Sequence, residues 1–228
     1  MYLFTNSEGN IILESVKIPE STIERLAIYL RKIEELYDKG YSIISSEKLA
    51  NVCKVNPAQI RKDLSYFGEF GVRGVGYEIS ELMREIKRIL DTGRVWRLAL
   101  VGVGNIGSAI LRHKNFYKRG YNFIAAFDID PQKIGREVIQ GIKVQPMEEL
   151  EDTVKRLNIE IGVITTPSTS AREVCRVLVN AGIKAILNFS PIFLRSRKGC
   201  IVENMDFTIK LDNLAYHLCQ LEGKNFSK

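Results

Sequence analysis

Three glycines at fixed intervals, in Gly102-Val103-Gly104-Asn105-Ile106-Gly107, lie between the apolar run Leu98-Ala99-Leu100-Val101 and the helical stretch Ser108-Ala109-Ile110-Leu111. Each glycine answers a different demand. Gly102 permits a tight turn off a strand, Gly104 lets the backbone approach a pyrophosphate, and Gly107 lets helix and sheet pack closely. The amides of Val103, Asn105 and Ile106 surround the helix start, where free N–H groups and partial positive charge suit phosphate oxygens. Asp128 ends the next apolar run, twenty-one residues after Gly107, where a carboxylate takes both hydroxyls of a ribose. Asp130 adds a second acid that disfavours a 2′-phosphate, with Lys133 and Arg136 close by. The expected ligand is NAD(H) rather than NADP(H).

Ligands of such sheets sit at the carboxyl ends of strands. Two more of those ends are Thr165-Thr166-Pro167 and Asn188-Phe189-Ser190-Pro191. Thr166, Pro167, Asn188 and Phe189 are therefore candidate contacts, with Phe189 either against a nicotinamide ring or in the core. Hydride chemistry would also need a placed proton carrier. His113 falls at the end of the helix after the glycines and His217 near the C-terminus, so no catalytic residue is expected.

A second constellation precedes the first. Gln59, Arg61, Lys62, Ser65 and Tyr66 accompany the apolar pair Ile60 and Leu64. Arg61 suits guanine, Gln59 adenine, and Lys62 and Ser65 phosphates. Asp63 is an intrusion that would face away from DNA or orient a neighbouring contact. Arg73, in a glycine-rich segment, could reach a minor groove or the backbone. The same composition also suits a solvated mixed-charge helix.

The elements that must position these groups follow from periodicity. Pro19 opens a helix with Ile23, Leu26, Leu30, Ile33 and Leu36 at helical spacing, ending near Gly40. Ser45 and Ser46 cap a short helix to Cys53. Asn56-Pro57-Ala58-Gln59 starts a third, with Gln59 able to reach back to the cap, and it runs to about Tyr66. Gly68, Gly71, Gly74 and Gly76 suit a short hairpin or wing, and Ser80 caps a helix from Glu81 to Leu90. From Trp96 onward, strands at 97–101, 123–127, 161–165 and 185–189 alternate with helices at 106–112, 148–157 and 171–180. That rhythm predicts a parallel sheet covered on both faces.

Bulk properties narrow the class. The 228 residues carry a net charge of +6, yet residues 1–90 hold thirteen basic and thirteen acidic side chains. DNA binding by that half must therefore rest on where individual charges sit. The four cysteines form no close pair, and with two histidines they support neither a zinc site nor a disulfide framework. No run approaches the length needed to span a membrane, and the N-terminus lacks the pattern of a secretion signal. Cytoplasm is the expectation.

Arg61-Lys62-Asp63-Leu64-Ser65-Tyr66-Phe67-Gly68 with Gly74-Val75-Gly76-Tyr77 closely resembles the redox-sensing transcriptional repressors of the Rex family. The likeness extends through Lys17-Ile18-Pro19, the glycine segment, Ala126-Phe127-Asp128-Ile129-Asp130-Pro131, and Ala181-Gly182-Ile183-Lys184-Ala185-Ile186-Leu187-Asn188-Phe189, and covers nearly all of residues 17–220. The resemblance implies an α/β chain with a winged helix-turn-helix domain, a Rossmann-type doubly wound NAD(H) domain, and a homodimer that leaves operator DNA when NADH binds. It also departs from the family. The extension before Lys17 is long, His113-Lys114-Asn115-Phe116 stands where many relatives have Tyr-Pro-Gly-Phe, and Ser190 replaces a usual alanine.

Phe207, Leu211, Leu214, Leu218 and Leu221 form a narrow apolar seam at steps of four and three. Such a helix either closes its own domain or, as the resemblance implies, crosses to a second subunit. The expected organisation is a winged-helix domain at 1–91 with an extension at 1–16, a Rossmann domain at 95–203, and a dimerisation helix within 204–228. An NADH-sensing repressor reporting the NADH/NAD+ ratio is the favoured reading. The alternative is a small NAD-dependent oxidoreductase with an N-terminal helical oligomerisation domain.

Overall fold

Tyr2, Phe4 and Thr5, and Ile11 and Ile12, are residues that favour strands, and the computed structural model forms two strands there. They are β1 (Tyr2–Thr5) and β2 (Ile11–Glu14), antiparallel with Tyr2 opposite Glu14. Both strands lie within the extension expected at 1–16. The structure describes residues 2–5, 11–14, 18–72, 74–139, 141–196 and 199–222, the first two stretches by backbone alone. Arg73 and Lys17, both singled out above, lie outside the described residues. The chain divides between Arg94 and Val95 into two units.

In the first unit, α1 (Glu20–Asp38) buries Leu26, Tyr29, Leu30 and Ile33. A two-residue strand, β3 (Ile43–Ile44), leads to α2 (Ser46–Cys53), whose cap Ser45 accepts a hydrogen bond from the Lys48 amide. Lys54, with φ of 56°, makes the left-handed turn out of that helix. The third helix, α3 (Pro57–Ser65), starts as expected on Asn56, whose Oδ1 accepts from the Ala58 amide at 2.7 Å. Gln59 does not complete a capping box; its amide bonds Asp63 instead.

The glycine-rich segment is a turn closed by one bridge, Val72 to Gly76. The strand after it, β4 (Tyr77–Glu78), pairs antiparallel with β3 rather than within the segment. The last helix of the unit, α4 (Ile79–Ile89), starts two residues before the expected Glu81. Its cap is Glu78, whose carboxylate accepts from the Ser80 and Glu81 amides and from the Ser80 hydroxyl. A longer acidic side chain beside the helix start has taken the role that Ser80 was expected to play. One apolar core joins these helices through Leu26, Leu30, Ile33, Leu49, Ile60, Leu64, Ile79, Leu82 and Ile86.

The second unit begins with β5 (Trp96–Val101), α5 (Asn105–Arg112) and the short α6 (Lys114–Lys118). Then come β6 (Tyr121–Phe127), β7 (Glu137–Ile139) and β8 (Ile142–Gln145). A 3-10 turn leads to α7 (Leu150–Leu157), followed by β9 (Ile161–Ile164), α8 (Ser168–Asn180), β10 (Ala185–Asn188), β11 (Ile201–Asn204) and α9 (Phe207–Leu221). The strands form one sheet in the order β11-β10-β9-β5-β6-β8-β7, parallel except for β7. Leaving β7 aside, this is the doubly wound order of a Rossmann sheet, which reverses between β5 and β9.

The strand rhythm identified β5, β6, β9 and β10 but missed β7, β8 and β11, which are short and lie toward the edges. Val101, Phe127, Leu150, Val154, Ile164 and Leu178 fill one side of the sheet under α7 and α8. Leu98, Leu100, Leu111, Phe123 and Val163 fill the other, with Phe116 of α6 set edge-on to Phe123. Cys175 and Cys200 are buried. No helix among the described residues is long and apolar enough to cross a membrane.

Helix α9 buries none of its own residues. Phe207, Leu211, Leu214, Leu218 and Leu221 are all more than half exposed, and Ile209 and Tyr216 with them. Within one chain the apolar seam therefore closes no core.

Candidate functional site

The glycine turn is shaped by contacts that leave no room for a side chain. Gly102 has φ of +98°, and its N–H donates to the Phe127 carbonyl at 2.8 Å. A Cβ there would meet Thr166 Cγ2 at 2.8 Å and the Thr165 carbonyl carbon at 2.9 Å. At Gly107 a Cβ would press on the Gly102 carbonyl oxygen and come within 2.8 Å of Thr165 Oγ1. At Gly104 it would meet nothing within 4 Å. The fold itself thus demands glycine at 102 and 107, whereas Gly104 borders open space at the start of α5. Gly107→Ala is expected to lower stability by about 1–3 kcal/mol through overpacking against rigid backbone, read as a drop in Tm. Gly104→Ala should leave Tm nearly unchanged.

Asp128 closes this turn from the side. Its Oδ2 accepts from the Val103 amide at 2.8 Å and from Lys133 Nζ at 2.9 Å, and its Oδ1 accepts from the Asp130 amide at 3.0 Å. Burial opposes its ionisation, but these bonds outweigh burial and hold the carboxyl below its usual range. Lys133 Nζ also lies 3.7 Å from Asp130 Oδ2, so its charge is shared between two acids.

Across the reversal point, Thr165 Oγ1 donates to the Gly102 carbonyl at 2.6 Å and ties β9 to the turn. Thr166 Oγ1 is buried and has no hydrogen-bond partner. An orphaned hydroxyl beside the glycine turn is what a ligand atom would satisfy. Ser190 is buried, and its hydroxyl donates to the Thr166 carbonyl at 2.6 Å. This departure from the family pattern therefore points inward and holds the β9 and β10 loops together.

The candidate contacts differ in what they have to offer. Val103 is buried, while Gly104, Asn105, Ile106 and Pro167 are exposed around the helix starts. Asn188 is fully buried and committed: its Nδ2 donates to the Ile192 carbonyl at 2.8 Å and to Asn204 Oδ1 at 2.9 Å, and its Oδ1 accepts from the Ser190 amide. Its side chain shapes the loop after β10. Phe189 is half-buried, with its ring 6.1 Å from that of Phe207. His113 caps α6, accepting at Nδ1 from the Asn115 amide at 3.4 Å. Thr165 and Ser190 were not singled out as site residues, because their bonds run between strand ends far apart in the chain.

In the first unit, α3 places Arg61, Lys62 and Ser65 on one exposed face, at helical spacing. Arg61 Nη1 donates to Ser46 Oγ at 2.8 Å and lies 3.6 Å from Glu47 Oε1, which orients the guanidinium at the start of α2. Ser65 Oγ donates to the Lys62 carbonyl, and Tyr66, half-buried, ends the helix. The start of α2, Arg61, Leu64 and Ser65 of α3, and residues 68–72 and 74–77 line a concave surface of about 700 Å³.

Asp63 faces the other way and is fully buried. It accepts from Arg25 Nε at 2.6 Å and Nη2 at 2.8 Å, from the Tyr29 hydroxyl at 2.8 Å and from Thr22 Oγ1 at 3.1 Å. Gln59 Nε2 adds a further bond at 2.8 Å, which turns that side chain from the exposed face toward the acid. Burial opposes the charge on Asp63, yet the hydrogen bonds keep its carboxyl below the usual range.

Comparison with known proteins agrees with this division. A family model described as a putative DNA-binding protein N-terminus matches residues 17–65, and one described as a CoA binding domain matches residues 94–192. The redox-sensing transcriptional repressor Rex of Syntrophobacter fumaroxidans is 55% identical over 206 residues, 90% of this chain and 98% of that protein. The Rex of Solidesulfovibrio magneticus is 48% identical over 90% of this chain and 93% of its own. Among solved structures, RSP in complex with β-NAD+ and operator DNA matches with a TM-score of 0.86 and 36% identity, over 91% of this chain and 95% of that one. RSP in complex with β-NADH matches at 0.82 and 34%, over 91% and 97%.

A Rossmann sheet joined to a helix-turn-helix unit, with such relatives, defines a transcriptional regulator rather than a dehydrogenase. The chain belongs to the Rex family of redox-sensing transcriptional repressors.

Proposed function

We propose that this chain binds palindromic operator DNA as a homodimer and is released when NADH binds, so that transcription follows the NADH/NAD+ ratio. The observation that carries the reading is the convergence of groups at the sheet's reversal point. There the glycine turn, Asp128 and the unpartnered hydroxyl of Thr166 converge. In such a sheet the pyrophosphate lies over the glycine turn against the amides that open α5, and the adenosine ribose reaches the Asp128 carboxylate. Phe189 lies against the nicotinamide. A neutral reduced ring suits an apolar wall, and the positive ring of NAD+ is penalised there.

In the first unit, Arg61 reads a base edge while Lys62, Ser65 and Tyr66 hold the backbone, and Arg73 adds a contact from the segment after Gly71. Two copies of α3 in a two-fold dimer match a palindromic site. The exposed seam of α9 is the surface that the second copy covers. The protein works in the cytoplasm, where operator and nucleotide pool are both within reach.

The reading is tested by titrating NADH and NAD+ into the protein bound to an operator duplex. NADH should release the DNA, and by linkage the duplex must weaken NADH binding by the same factor, roughly 5–150-fold for a typical coupling. A duplex that stays bound at saturating NADH, or that NAD+ releases equally well, would sink the mechanism. Gly104→Ala adds a check on this site, since its methyl group enters the space assigned to the pyrophosphate. It should bind NADH at least about tenfold more weakly while folding normally.

The two basic residues of α3 should separate by kind. Arg61→Ala is expected to relax sequence preference at a cost of about 1–3 kcal/mol per half-site. Lys62→Ala should weaken binding to every duplex alike and flatten its salt dependence. Unchanged affinity in both variants, measured by fluorescence anisotropy across a salt series, would remove α3 from the interface.

A further inference from the structure

Glutamine reads bases with a two-sided group, and which side faces the DNA decides what it reads. Its carbonyl accepts and its NH2 donates, and rotation about the last torsion, which is broad, exchanges the two. At Gln59 that choice is already made. Asp63, one helical turn further on, is fully buried and takes the Gln59 Nε2 at 2.8 Å. A carboxylate can only accept, so the NH2 end must face it, and Oε1 is turned away. Asp63 cannot yield to the glutamine, because Arg25 and Tyr29 of α1 hold both its oxygens. The order of control thus runs from α1 to the acid, and from the acid to the amide.

We propose that Asp63 is a positioning residue for base recognition, fixing the polarity of the Gln59 amide so that its carbonyl and second N–H select an adenine. Adenine presents N6–H2 as donor and N7 as acceptor, the complement of that edge, whereas a reversed amide would set donor against donor. The inference rests on the reading of α3 as the recognition helix.

The test measures affinity for an operator duplex and for duplexes with each base pair of the half-sites replaced in turn, using the wild-type chain, Gln59→Ala and Asp63→Asn. Gln59→Ala should lose roughly tenfold discrimination at one A·T pair per half-site. Asp63→Asn should lose discrimination at that same pair and keep the rest of its profile, because an asparagine can offer Gln59 either an oxygen or an NH2 group. A uniform loss of affinity in Asp63→Asn, with the wild-type profile retained, would show a merely structural role and overturn the proposal. A wild-type chain indifferent to every replacement would instead remove the recognition-helix reading, and this inference with it.

Should Asp63→Asn fail to fold, the side-chain amide spectrum of the 15N-labelled wild-type chain decides, with Gln59 assigned by its loss in Gln59→Ala. One Gln59 N–H shifted downfield and protected from exchange is expected. A Gln59 amide exchanging like a free one overturns the anchor.

Discussion

Asp128→Ala is expected to weaken NADH and NAD+ alike, by at least roughly 150-fold, since each ligand loses two hydrogen bonds to a charged group worth about 1.5–3 kcal/mol apiece. The two forms share the ribose that this carboxylate takes, so their ratio should barely move. Affinity for operator DNA without nucleotide should stay close to that of the wild type, while NADH becomes a poor releaser. A second effect follows from the cluster around the acid. Lys133 Nζ is held by Asp128 at 2.9 Å and by Asp130 at 3.7 Å. Without Asp128 that cation is freer to meet a 2′-phosphate, so NADPH should lose less affinity than NADH. Calorimetric titration of the three nucleotides reads both effects. An unaltered NADH affinity would mean that another residue takes the ribose.

The largest effect on stability is expected from Arg25→Ala. It leaves the Asp63 carboxylate buried with only Tyr29, Thr22 and Gln59 as donors. Breaking a buried pair by removing one partner costs about 3–5 kcal/mol. The lower end applies, because the Arg25 side chain is 24% exposed and three donors remain. The pH dependence has a definite sign. Asp63 has a depressed pKa in the folded chain, so its stabilisation is complete above the unfolded carboxylate value, about 3.9. It is lost as pH falls from there through the folded value. Removing Arg25 raises the folded value, so acid unfolding should begin at a higher pH than in the wild type. Thermal melts between about pH 7 and about pH 2 would show this. Parallel Tm profiles for the two proteins would mean that Asp63 is not held by Arg25 in solution.

The parts that could be read from sequence were those in which one residue type answers one backbone demand. Gly102 and Gly107 were assignable because no other residue fits a positive φ at the first or the close approach at the second. Pro57 after Asn56 marked the start of α3 for the same reason. What escaped notice depended on residues far apart in the chain. Asp63 was expected to face away from DNA or orient a neighbouring contact, but its partners Thr22, Arg25 and Tyr29 could not be named, because they lie between 34 and 41 residues earlier. Asn188 was a candidate ligand contact at a strand end, but Asn204 and the Ile192 carbonyl occupy its amide. Strands β7, β8 and β11 include Glu137, Lys143 and Glu203, so they lack the continuous apolar run that marks β9 and β10, which are no longer than β8 and β11. The cap of α4 was misplaced by local rules, since Glu78 reaches the Ser80 and Glu81 amides that a serine cap was expected to meet.

Helix α3, proposed to read DNA, keeps its inward and outward faces apart. Ile60, Asp63 and Leu64 face inward and carry the fold, while Arg61, Lys62 and Ser65 face outward and carry none of the core. Exposed substitutions away from such anchors usually change stability by no more than about 0.5 kcal/mol. The outward trio is therefore free to drift over generations without endangering the domain beneath it, and operator preference can diverge faster than the fold. Gln59 is the exception, because its amide is fastened to the interior. Whatever base it reads should be the part of the operator that related proteins change last.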